Sequence, residues 1–112
     1  MVNETQAYEN DPLIAGFVVT RDDVPLAADT YYRGMPLALS TGVYGYNAAN
    51  PEVIYNGIER TLGSQGIGSV IVHGEVLAGG LVDDSNAALS VTDAVIQAAQ
   101  ANGIFIKNKA NA

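Results

Sequence analysis

Apolar and polar residues follow the two-residue period of a strand over most of this chain, and a helical period only near its end. The segment SVIVHGEVL sets Val70, Val72 and Val76 against Ile71, His73, Glu75 and Leu77, which predicts a strand. From Leu13 the run LIAGFVVT is β-branched and apolar on both faces, the pattern of a strand buried on both sides or of a close-packed barrel wall. Arg21-Asp22-Asp23 and Pro25 are expected to break it. Met35 to Ser40 and Val43 to Tyr46 flank Thr41-Gly42 and predict a tight hairpin, with Pro36 at a sheet edge or at the start of its strand. AANPE reads as a turn. VIYNGIERT reads as a strand interrupted at Asn56-Gly57 by a second hairpin or by a bulge, and Gly63, Gly66 and Gly68 bracket a loop.

In LSVTDAVIQAAQANG the period changes. Val91, Ala94, Val95 and Ala98 fall on one helical face, with Thr92, Asp93, Gln97 and Gln100 on the other. Ser90 is the expected N-cap, with Asp93 completing a capping box, and Asn102-Gly103 the expected C-terminal stop. Ile104-Phe105-Ile106 follows as a last strand. Residues 1–12, MVNETQAYENDP, hold Glu4, Glu9 and Asp11 with no base and few apolar residues, and predict a flexible arm ahead of a single domain over 13–112. The fold class is therefore α+β, mainly β: a small β-barrel or sandwich of about six to eight strands, with one short C-terminal helix.

Composition narrows the function. The 112 residues carry 5 Lys and Arg against 12 Asp and Glu, a net charge of −7 that opposes binding to phosphate backbones or anionic lipid. Nucleic acid and membrane are thus not expected partners. The apolar run from Leu13 to Val19 is far shorter than the roughly 20 residues of a membrane span, and no basic segment precedes it as in a secretion signal. With no cysteine and one histidine, thiol chemistry and most zinc chemistry have no ligands to work with. No cofactor or metal is expected.

Three groups of residues invite a chemical reading. His73 and Glu75 stand two apart on one strand face, the spacing of a paired acid and base, yet no nucleophile pattern accompanies them. They define the alternative function, a small ligand-binding or hydrolytic β domain. Asp83-Asp84 with Asn86 lacks the alternating ligands, glycine and terminal glutamate of a calcium loop, and GSQGIGS lacks the spacing of a phosphate-binding loop. Tyr31, Tyr32, Tyr44, Tyr46 and Tyr55 fall in one stretch, which suits either ordinary cross-strand packing or a contact surface for another copy or partner.

The succession YYRGMPLAL, STGVYGYN, the strand SVIVHGEV, and a short helix running through ANG into IFIK resembles the small head decoration proteins of tailed bacteriophages, the phage lambda type. The resemblance runs from about Thr30 to Lys107, and its most specific part is the pairing of VHGEV with the terminal GIFIK. It implies a non-enzymatic virion protein, assembled in the host cytoplasm. Such a protein sits as a trimer on the outside of an expanded capsid and bridges the capsomers of the major capsid protein lattice. The loop at Gly63 to Gly68 and the N-terminal arm have no counterpart in that pattern. On this reading the arm orders by strand addition on the shell, with Val2, Ala7 and Tyr8 as anchors and Glu4 and Glu9 meeting capsid bases.

Overall fold

In the computed structural model, which describes residues 11–107, eight strands and one α-helix follow one another. They are β1 (Ile14–Leu26), β2 (Asp29–Tyr31), β3 (Pro36–Ser40), β4 (Val43–Tyr46), β5 (Val53–Tyr55), β6 (Arg60–Leu62), β7 (Gly66–Leu77), α1 (Asp93–Ala101) and β8 (Ile104–Lys107). Neighbours in the order β1-β4-β3-β5-β7 are hydrogen-bonded, and β7 pairs back onto β1, which closes a barrel. β8 extends β7 in parallel register beyond the reach of β5, from Gly74↔Ile104 to Leu77↔Lys107. β2 and β6 form a separate two-stranded ribbon. The mainly β, one-helix fold expected from the periodicity is the fold observed, and it is a barrel.

The longest contact in the molecule is the antiparallel pair β1 and β7. β1 continues through Arg21-Asp22-Asp23 and Pro25 instead of breaking there. The charged residues are exposed, Arg21 donates along the strand to Asp23 at 3.0 and 3.2 Å, and the ladder takes up Asp22 and Asp23 as a register shift between Arg21 and Val24. Three register shifts bend β1 around the barrel. One lies opposite Gly74, whose φ of +131° and tight approach to the Phe17 carbonyl leave no room for a side chain. Only the inner positions of the wall are covered: Ile14, Val24 and Leu26 are buried, while Phe17 is 76% exposed. The barrel-wall form of the LIAGFVVT expectation holds; burial on both sides does not.

The Thr41-Gly42 hairpin forms as expected, with Ser40↔Val43 as its closing pair and φ values of 50° and 87° in the turn. Pro36 opens β3 between β4 and β5, so it marks a strand start and not an edge. At Asn56-Gly57 neither a hairpin nor a bulge forms. β5 stays in the barrel while β6 pairs with β2, because the Tyr55 hydroxyl donates to the Ile58 carbonyl at 2.7 Å and turns the chain out of the sheet. Gly66 and Gly68, expected in a loop, belong to β7; Gly68 lets Leu26 pack against the strand where a side chain would stand.

The helix starts later than Ser90. Leu89 N–H still donates to the Leu81 carbonyl at 3.0 Å, which holds the chain extended, and Thr92 is the cap, its Oγ1 accepting from Val95 N–H at 3.3 Å. Of the face expected, Val91 and Val95 pack on the core and Ala98 is half-buried, but Ala94 is exposed and Ile96 and Ala99 take up the contact, so the buried face is rotated from the expected one. Gly103, at φ +87°, ends the helix as predicted and hands the chain directly to β8.

Candidate functional site

β1, β7 and β8 together present one outer face. Register places Val19 opposite His73, Glu75 opposite Phe105, and Leu77 opposite Lys107, with Phe17 two residues before Val19. Phe17 and Val19 on β1 and Phe105 on β8 are 76%, 39% and 43% exposed, apolar side chains that face water on this wall on either side of β7. Between them on β7 lie His73, against Gly103, and Glu75, which covers Gly16 and whose carboxylate stands 3.8 Å from Lys107 Nζ. β8 borders the sheet on one side only, so its far edge is open to further strand pairing among the described residues. No hydrogen bond joins His73 to Glu75, and among the described residues no three His, Asp or Glu side chains converge.

The tyrosines divide into two kinds. Tyr31 and Tyr55 are 0% and 1% exposed and stack at 5.4 Å between ring centroids, so as core residues they are withdrawn from the proposed partner surface. Each hydroxyl keeps a backbone acceptor, Ala27 O at 2.6 Å for Tyr31 and Ile58 O at 2.7 Å for Tyr55. Burial, then the Asp29 charge, pushes the Tyr31 phenol up to about 12. Tyr32, Tyr44 and Tyr46 are half-buried against the same core and keep part of each ring at the surface. Tyr46 is raised by burial and by Asp84 and Asp83 beside it.

Asp83 is spent on its own loop. Its Oδ1 accepts from Ser85 N–H and Ala87 N–H at 2.8 and 3.0 Å, and Asn86 takes φ 61° to make the turn. Chemistry that periodicity did not reveal appears at Asp11 and Arg33. The guanidinium grips both Asp11 oxygens at 2.9 and 2.8 Å and donates Nε–H to Asn56 Oδ1 at 3.0 Å. Asp11 also accepts from Leu13 and Ile14 N–H at 2.7 and 3.0 Å. Burial works to raise this carboxyl, but the Arg33 and backbone hydrogen bonds outweigh it and hold it below the usual carboxylate range. A lone arginine inside the apolar stretch YYRGMPL was the available signal. Asp11, inside the segment assigned to the arm, thus makes fixed contacts with the domain; Val2, Glu4, Ala7, Tyr8 and Glu9 lie outside the described residues.

No family model, curated protein or solved structure matches the chain. The wall carries exposed apolar side chains with a strand edge beside it, and an open cleft of about 420 Å³ lies at Tyr32, Arg33, Asn56, Gly57 and Ile58.

Proposed function

We propose that this protein is a structural capsid-decoration module. It seats as a trimer on the outside of an expanded tailed-phage shell and bridges neighbouring units of the major capsid protein. The observation that carries the reading is the outer wall on which Phe17, Val19 and Phe105 are exposed, ending at the open edge of β8. Apolar side chains on a strand wall are stabilising when a partner covers them, and an open edge gives that partner main-chain hydrogen bonds. The acidic balance of −7 speaks for an outer surface, away from the packaged genome. The order of motifs between Thr30 and Lys107, which resembles that family, speaks for the same role. Tyr32, Tyr44 and Tyr46 supply further contact area, and Val2, Ala7 and Tyr8 of the arm anchor it on the lattice, with Glu4 and Glu9 facing capsid bases. Catalysis, cofactors and nucleic acid have no part in this role.

The test is co-sedimentation with expanded and unexpanded shells of the encoding phage, beside light scattering of the free protein. Binding to expanded shells only, and a mass of three chains, are expected. Phe17→Ser with Phe105→Ser should weaken shell binding or trimer formation at least about tenfold, or about 1.4 kcal/mol, with the fold retained. A monomer that ignores both kinds of shell overturns the proposal.

A further inference from the structure

Two Asn-Gly steps occur in the chain, Asn56-Gly57 and Asn102-Gly103, and the fold treats them in opposite ways. An Asn-Gly step is chemically weak because the glycine nitrogen, unhindered by a Cβ, can attack the asparagine side-chain amide. At Asn102 both reacting groups are occupied. Nδ2 donates to Ala98 O and Pro51 O at 3.1 Å and to Asn50 Oδ1 at 3.3 Å, while Gly103 N–H donates to Gln100 O at 3.0 Å. The Asn102 ψ of 6° also turns the glycine nitrogen away from the side-chain carbon.

Asn56 lacks these hydrogen bonds. Its Nδ2 and the Gly57 N–H donate to no acceptor among the described residues, and the step lines an open cleft of about 420 Å³ that admits water. One contact works in the other direction. Arg33 Nε–H donates to Asn56 Oδ1 at 3.0 Å, which draws density from the amide carbon and stabilises the oxyanion formed on attack. We propose that Asn56 is a site of spontaneous deamidation, promoted by Arg33, and that Asn102 is protected by its cap.

In the first step the Gly57 nitrogen loses its proton to solvent base and bonds to Asn56 Cγ. The Cγ–Nδ2 bond breaks, and Nδ2 leaves as ammonia with a proton from water, giving a five-membered imide. Water then opens the imide. Addition at Cγ leaves an aspartate, and addition at the main-chain carbonyl leaves an isoaspartate whose backbone runs through the side chain. No electron donor or acceptor is needed. The aspartate product puts a second carboxylate on the guanidinium that already holds Asp11, and so competes for the staple at the start of β1; in the isoaspartate product Oδ1 stays an amide oxygen and the new carboxylate is the former main-chain carbonyl. Isoaspartate also lengthens the backbone between Tyr55 and Ile58, whose hydrogen bond turns the chain there.

The experiment ages the full chain in mildly alkaline buffer and maps its peptides by mass spectrometry, with isoaspartyl methyltransferase labelling to separate the two products. The same chain unfolded in urea is the reference. In the folded protein Asn56 should gain the mass of an amide-to-acid conversion about tenfold or more faster than Asn102, whereas in urea the two sites convert alike. Asn56→Asp, which adds the charge without the backbone change, should melt above the isoaspartate form. Equal rates in the folded protein, a faster Asn102, or an Asn56 that converts more slowly folded than unfolded would overturn the proposal.

Discussion

At one end of the barrel Ile14, Ile54, Ile71, Val76, Leu81, Ile104 and Ile106 pack as aliphatic side chains beneath Val95, Ile96 and Ala99 of α1. At the other end Tyr31 and Tyr55 stand among Leu26, Met35, Leu37, Val53 and Val70, with Tyr32, Tyr44 and Tyr46 around the rim. The aliphatic end depends on volume alone and needs a helix to cover it. The tyrosine end closes itself, since each buried ring carries a hydroxyl that ties a loop carbonyl while its body fills the core. Shape holds the first and directed hydrogen bonds the second, so the two ends should respond to different perturbations. Asp11 and Arg33 link them: the carboxylate fixes the start of β1 at Leu13 and Ile14, and the guanidinium that holds it also donates to Asn56, next to Tyr55 in the chain.

The strongest challenge to this contrast is Ile104→Ala at the aliphatic end. Ile104 is fully buried between β7 and α1, and its truncation should cost roughly 2–5 kcal/mol through lost burial and a cavity. Urea unfolding measures it; a loss under 1 kcal/mol would mean that α1 collapses into the space.

Asp11→Asn should come next, at about 1–2 kcal/mol after allowing for the part-exposed guanidinium. Because the Asp11 carboxyl is depressed in the folded state, its contribution is complete above the ordinary carboxylate value and fades as pH falls through the lowered one. The wild type should therefore lose more stability than the variant across that acid range, as melts at stepped pH would record.

At the tyrosine end, Tyr31→Phe and Tyr55→Phe should each cost about 1 kcal/mol, less than the aliphatic truncation because the ring stays in place. The phenol of Tyr31 is raised, so its contribution is complete below the ordinary tyrosine value near 10 and is lost as pH rises toward and through about 12. Alkaline melts of Tyr31→Phe should fall less steeply than those of the wild type. The smallest effect on stability belongs to Phe17→Ser, within about 0.5 kcal/mol, since the ring is 76% exposed and belongs to neither end. A larger loss would show that Phe17 shields the aliphatic core through the wall.

Much of the fold was legible in the residues themselves. The Thr41-Gly42 turn, β7 as a strand, and the step from Asn102-Gly103 into β8 rest on local periodicity and on φ angles that particular residues favour, though the register shift between Val19↔His73 and Thr20↔Ile71 turns Ile71, expected on the face of His73, into the core. What local pattern does not carry is which partner a strand meets. β1 runs through Arg21 to Asp23 because the closed wall turns those charges outward, and β6 leaves β5 for β2 because a tyrosine hydroxyl reaches a carbonyl three residues on. The helix cap moved from Ser90 to Thr92 because Leu81 holds Leu89 extended. The candidate surface divides in the same way. Aromatic residues at 17 and 105 are plain in the sequence, but only the pairing of β7 with both β1 and β8 brings them to one face, since that juxtaposition spans 88 positions of chain. Composition and period determined a small, acidic, mainly β domain with one late helix. Barrel closure decided which tyrosines became core, which apolar residues faced water, and how Asp11 found Arg33, because each depends on contacts between residues far apart in sequence.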